Sequence, residues 1–175
     1  MENYYETFNN LLSHAENEIV EFKKAENNFD FDDLGKYFSA LSNEANLRQH
    51  DFAWIVFGVL DKTHEVVGTS FKNSEVALNK LKHDFSQHTS DSASFREIVP
   101  ITVEGKRVLL FKIPASPRNI IMHWKGIAYG RDGESLVPLS QAKQDEIRQQ
   151  PPWPDWTAEL VPSALKAYGV YTEFT

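Results

Sequence analysis

The sequence predicts an α+β domain, one mixed β-sheet flanked by helices, in a chain of 175 residues. Three observations carry that expectation. Phe52 to Leu60 is almost wholly apolar, the pattern of a central strand covered on both faces. Leu34, Tyr37, Phe38, Leu41, Ala45 and Leu47 fall on one helical stripe. Strand-like and helix-like segments are mixed, without the strict alternation of a parallel α/β sheet. At this length one hydrophobic core serves one domain.

In chain order, Tyr5, Phe8, Leu11 and Leu12 mark a short amphipathic helix over residues 2–13. Ile19 to Lys24 alternates, with Val20 and Phe22 on one side and Ile19, Glu21 and Lys23 on the other, which is the period of a half-buried strand. Asp30 or Asp32 starts the helix over 33–47. After the strand 52–60 the chain turns at 62–65 and returns as a strand to Thr69, leaving Asp61 at a tight corner. Val76, Leu78, Leu81 and Phe85 define a helix over 74–88. Segments 94–103 and 106–113 read as a hairpin turning at Glu104-Gly105. Ile127 to Tyr129 reads as a short strand ending in a G-R-D-G turn, and Ser140 caps a helix to Gln149. Residues 1–150 are expected to form the domain; 151–175 read as a proline-rich linker, held by Trp153 and Trp156, and a helix from Asp155 to about Ala167.

Hydrophobic content of 41% and charged content of 25% are those of a soluble globular protein. No apolar run approaches the ~20 residues that span a bilayer, so no membrane partner is expected. The acidic, aromatic start M-E-N-Y-Y-E-T-F is unlike a signal or transit peptide. The absence of cysteine excludes disulfides, thiolate zinc sites and cysteine nucleophiles. A cytoplasmic location is the expectation. Net charge is -7, unlike a protein that coats nucleic acid. The distribution is uneven, however: residues 104–131 hold Lys106, Arg107, Lys112, Arg118, Lys125 and Arg131 against Glu104 alone, a net of +5. That segment reads either as a basic hairpin paired with acidic neighbours or as a phosphate-binding surface.

No P-loop, G-x-G-x-x-G, G-x-S-x-G or H-E-x-x-H motif occurs, and the six histidines share no ligand spacing. The carboxylates carry more. In Glu21-Phe22-Lys23 a strand projects acid and lysine to one side. Such a pair is either a solvated strand face or part of a phosphodiester-cleaving site. In the second case a carboxylate holds a divalent cation and the lysine offsets charge developing on phosphorus. Asp61, at a strand exit, and Glu16, five residues before Glu21, are the candidate partners for a shared Mg²⁺ or Mn²⁺. Arg131, between Gly130 and Gly133, reads either as an exposed turn residue or as a bidentate phosphate grip.

Six words follow in order: E-N-E-I-V-E-F-K-K (16–24), G-K-Y-F-S-A-L-S-N-E-A-N (35–46), A-W-I-V-F-G-V-L-D (53–61), H-E-V-V-G-T (64–69), R-V-L-L-F-K-I-P-A (107–115) and A-Y-G-R-D-G-E-S (128–135). Over roughly residues 14–148 the chain resembles the Schlafen-type AlbA domain. That domain occurs in bacterial transcriptional regulators, in RecG-like helicase-related proteins and in vertebrate Schlafen proteins. The resemblance implies nucleic-acid binding on an α+β domain. From the animal members it implies a metal-dependent endoribonuclease acting on structured RNA such as tRNA. Their E-x-x-x-x-E-F-K glutamates and following aspartate correspond to Glu16, Glu21 and Asp61. The family's glycine pair before the G-V strand is replaced here by Asn46 to Phe52, and only one of the two lobes of an animal RNA groove is present, which a homodimer would complete.

The expectation is therefore a nucleic-acid-binding domain with nuclease activity, RNA favoured. Glu16, Glu21 and Asp61 would hold the metal, Lys23 would stabilise the transition state, and Lys106, Arg107, Lys125 and Arg131 would contact phosphates. The alternatives are a DNA-binding module without chemistry, in a regulator or helicase-related protein, and a protein-interaction domain in a defence or regulatory complex.

Overall fold

The structure, a computed structural model, describes residues 1–13 and 18–151. Glu16 lies outside the described residues, as do the linker tryptophans and the helix expected from Asp155. The described elements are α1 (Tyr4–Ser13), β1 (Val20–Lys23), α2 (Phe31–Leu47), β2 (Phe52–Phe57), α3 (Glu75–Ser86), β3 (Glu97–Val103), β4 (Lys106–Pro114), β5 (His123–Trp124), β6 (Ile127–Asp132), β7 (Ser135–Pro138) and α4 (Gln141–Arg148). The α+β class and the mixed sheet are as the sequence predicts. The main sheet runs β1-β2-β4-β3, with β1 parallel to β2 and the other neighbours antiparallel.

Register assigns the faces. Glu21 sits beside Ile55 and Lys23 beside Phe57, on the face that carries Leu109 and Phe111. On that face Phe57 meets Phe111 at 4.7 Å between ring centroids, Phe111 meets Phe95 at 5.1 Å, and Phe95 meets Phe38 of α2 at 5.1 Å. The opposite face carries Trp54 and Lys112. The Lys112 ammonium stands 4.3 Å from the Phe52 ring centroid and 2.6 Å from the Glu2 carboxylate, and Tyr4 of α1 donates its hydroxyl hydrogen to Glu97. A buried lysine is tolerable here because an aromatic face and a carboxylate replace its water.

Asp30 caps α2, its carboxylate accepting from the Asp33 amide. The helix is buried nearly all round from Phe38 to Asn46, because the second sheet, β5-β6-β7, covers the side that the first sheet leaves open. Polar residues on that side serve the second sheet. The Asn43 amide donates to the carbonyls of Met122 and Tyr129, each at 2.9 Å, and accepts from the Met122 amide at 2.8 Å. At Gly35 a Cβ would fall 1.9 Å from the Trp124 ring, so only glycine admits that indole.

Two expectations change. Residues 65–69 do not form a strand; one bridge, Val59 to Val66, remains, and Thr69 is tied instead to the Arg107 carbonyl. The chain bends away at Gly58 and Gly68, with φ of 94° and 84°. The G-R-D-G segment is not a turn. β6 continues through Asp132, and the reversal comes at Gly133-Glu134 before β7. Gly130 is required for close approach, since a Cβ there would lie 2.7 Å from Leu139. The Arg131 amide then donates to the Glu44 carboxylate at 2.9 Å, which pins the extended strand to α2.

Candidate functional site

A cleft of about 730 Å³ opens along β1, bounded by Tyr37 of α2, the 61–64 turn and the β6–β7 reversal. Glu21, Lys23, Asp61 and Arg131, four of the residues singled out in the sequence, line it together. The parallel β1–β2 pairing brings this about. β1 and β2 run the same way, so the chain leaving β2 towards Asp61 emerges beside the end of β1.

Glu21 and Arg131 form the floor, each 5% exposed. The Arg131 guanidinium donates to one Glu21 oxygen, and the Lys23 ammonium lies 2.6 Å from the other. Further Arg131 donors reach the Glu134 carbonyl at 3.2 Å and the Gly133 carbonyl at 3.4 Å. Tyr37 faces both cations, its ring centroid 4.8 Å from the Lys23 nitrogen and 6.0 Å from the guanidinium carbon. Burial works to lower the Lys23 pKa, but the Glu21 carboxylate, helped by Tyr37, outweighs it, and the net shift is upward. Lys23 is therefore held charged. Two cations share one carboxylate: Glu21 and Arg131 are buried, and the half-buried Lys23 brings the three-residue cluster to a net +1.

The rim is mixed. Asp61, Lys62 and Glu134 are exposed, and His64, at φ 56°, packs against Phe22 at 4.8 Å between centroids. Exposed rim charges are screened by water and salt, whereas the floor charges are not. Glu18 also lines the cleft and is paired with Arg48. Burial tends to raise its pKa, yet Arg48 and then Lys143 prevail and hold it below the ordinary carboxylate range.

The remaining predicted cations lie elsewhere. The Arg107 guanidinium donates to the carbonyls of Thr69, Phe71 and Lys72, at 3.3, 2.8 and 3.0 Å, and fastens the 69–72 segment to β4. Lys106, exposed at the β3–β4 reversal, reaches the Val66 carbonyl at 2.9 Å. Lys125 pairs with Asp32 at 2.5 Å and borders a separate cleft with His88 and His123. The sequence-local basic excess is thus dispersed in space, and Arg131 is its one member among the residues lining the β1 cleft.

A divalent ion does not fit the described donors as they stand. Both Glu21 oxygens are bonded to cations, and among the described residues no three His, Asp or Glu side chains converge as a metal cage. Glu16 belongs to the segment outside the described residues. Sequence reasoning passed over Tyr37, Lys62 and His64. Tyr37 reads as one more member of the apolar stripe of α2, and only the placement of β1 and β6 shows that it faces cations.

Fold and site together define an α+β domain with a cleft of mixed charge, built on an arginine–glutamate–lysine cluster, at the edge of a mixed sheet. The chain belongs to the Schlafen AlbA_2 family, whose model matches residues 16–140. Membership supports a nucleic-acid-binding domain. Among solved structures, the DIP2311 protein from Corynebacterium diphtheriae is similar in fold, with a TM-score of 0.58 and 16% identity. The match covers 98% of this chain and 36% of that one, so this chain spans about a third of that protein's length. No curated protein matches the chain. Among the described residues no helix is long and apolar enough to cross a membrane.

Proposed function

We propose that this domain binds nucleic acid through the β1 cleft, with a backbone phosphate seated against Lys23 and Arg131. The observation that carries the reading is the buried floor, where two cations share the single carboxylate of Glu21. Glu21 holds the cations in place without ligand, and an incoming phosphate competes with it for their N–H donors. Charge-assisted bonds to a guanidinium and an ammonium in a recessed site are the strong kind.

Fluorescence anisotropy with labelled RNA and DNA tests this. A contact with about two phosphates loses about tenfold in affinity between ~50 and ~200 mM salt. Lys23→Gln should weaken binding and flatten the salt slope by about one. Absence of binding to either nucleic acid at ~50 mM salt, where phosphate contacts are strongest, refutes the reading.

A second reading, metal-dependent ribonuclease action with Mg²⁺ or Mn²⁺ at Glu16, Glu21 and Asp61, is favoured by one observation: Glu21 and Asp61 face the same cleft. It requires that Glu21 exchange a cationic side chain for the ion. Asp61→Asn is the clean probe, because Asp61 is exposed. Cleavage of tRNA that needs Mn²⁺ and disappears in Asp61→Asn establishes the activity; binding without cleavage in wild type leaves a binding module.

A further inference from the structure

We propose that a second cleft, formed where the 87–90 segment meets the β5–β6 turn, binds a phosphate group through His88, His123 and Lys125. Among the described residues it shares no lining residue with the β1 cleft, so the proposal does not rest on the reading above. The cleft holds about 630 Å³. The fold assembles it from histidines that share no spacing along the chain.

Its walls are fastened to each other. Thr89 and Trp124 form a bridge, the Lys125 amide donates to the His88 carbonyl at 2.8 Å, and the His123 amide donates to the Ser90 hydroxyl oxygen at 2.9 Å. The side chains are set as well. His123 Nδ1 lies 3.0 Å from the Ile121 carbonyl oxygen and 3.0 Å from the Ser90 hydroxyl, and Ser90 gives its own hydrogen to that same carbonyl at 3.2 Å. Both neighbours therefore act as acceptors, which places the ring proton on Nδ1 and leaves Nε2 for a ligand. The His88 ring stands edge-on to Trp124, with 5.4 Å between centroids. The Lys125 ammonium is held by Asp32, whose carboxylate accepts the Trp124 indole hydrogen at 3.2 Å. One bond to Asp32 leaves that ammonium with further donors.

The β1 cleft has Glu18, Glu21, Asp61 and Glu134 in its lining. This cleft has no carboxylate in its lining among the described residues, in a protein of net charge -7. An anion here meets ammonium and imidazole groups without a competing acid on the wall. A cation would meet Lys125, and among the described residues no three His, Asp or Glu side chains gather to complete a metal cage. A phosphate presents acceptor oxygens in several directions, as donors arriving from the end of α3, from β5 and from the turn require, and its bonds to ammonium and imidazolium are charge-assisted. A nucleic-acid backbone and a free phosphate share this chemistry, and the test separates them.

Inorganic phosphate is titrated into the full chain while the imidazole ring signals are followed by proton–carbon NMR, assigned with His88→Gln and His123→Gln, with sodium chloride of matched ionic strength as the reference. Phosphate is expected to move the His88 and His123 signals along one saturating curve and to leave the exposed His83 of α3 in place. Lys125→Gln should weaken the affinity about tenfold, the worth of one charge-assisted bond. A short RNA then identifies the source. Movement of the same two signals by RNA assigns the phosphate to a nucleic-acid backbone, and movement by inorganic phosphate alone assigns it to a free phosphate; either result upholds the site. Signals that stay still in both titrations, or that only drift in step with His83, overturn the proposal. Wild-type affinity in Lys125→Gln overturns it as well, because a phosphate in this cleft must meet that ammonium.

Discussion

Replacing Glu21 by glutamine isolates the central electrostatic element of the cleft. The change is nearly isosteric, so packing is kept while the carboxylate that serves Arg131 and Lys23 among the described residues is lost. Arg131 is 5% exposed and, among the described residues, retains only carbonyl acceptors from Gly133 and Glu134. Breaking a buried ion pair from one side costs about 3–5 kcal/mol, because the remaining charge is left uncompensated. For a chain of this size that lowers the melting temperature by about 6–20 °C. Asp61→Asn, in the same cleft but exposed, should stay within about 0.5 kcal/mol of wild type.

Urea unfolding followed by circular dichroism measures both, with equal m-values as the check that only stability has changed. A second readout separates the floor charge from general damage. In Glu21→Gln the two cations become an open anion receptor, so phosphate should raise the variant's melting temperature more than that of wild type. An anion at 100 times its dissociation constant returns about 2.7 kcal/mol. Oligonucleotide affinity should rise as well, since a competing carboxylate is gone. A Glu21→Gln protein as stable as wild type, or one to which phosphate gives no extra stability, would refute the account of the floor.

Three further outcomes are expected. Gly35→Ala should destabilise by about 1–3 kcal/mol in urea unfolding through overpacking against Trp124; wild-type stability would show that the indole moves aside freely. Asn43→Ala strands the Met122 amide and removes the Tyr129 carbonyl's side-chain donor, while the Met122 carbonyl keeps the Ser39 hydroxyl, so a loss of about 2 kcal/mol or more is expected, and a loss under about 1 kcal/mol would mean that α2 is not joined to the second sheet in this way. The depressed Glu18 pKa makes folding depend on acid: its stabilisation is present above the unfolded value of about 4.3 and is lost as pH falls through the lower folded value. Arg48→Met should flatten that acid limb of stability against pH, and an unchanged limb would assign it to other carboxylates.

The sequence by itself determined the elements with strong periodicity. The stripe of α2, the apolar run of β2 and the Glu104-Gly105 reversal between β3 and β4 follow from spacing and turn chemistry, because local geometry imposes those periods. It also indicated that Glu21 and Lys23 share a side of β1, since strand alternation alone settles that. β7, the length of β6 and the loss of the 65–69 strand depend on contacts far along the chain: Leu139 and Glu44 against Gly130 and Arg131, and the Arg107 carbonyl against Thr69.

The same division runs through the site. Residue type marks Glu21, Asp61 and Arg131 as chemically capable, but an arginine beside two glycines is equally consistent with a solvated turn. Only tertiary structure decided that Arg131 is buried and spends its charge on Glu21, 110 positions away, and that Arg107 fastens a loop. Electrostatic partnership depends on distance through space and on exclusion of water, and neither is written in the order of residues along a chain.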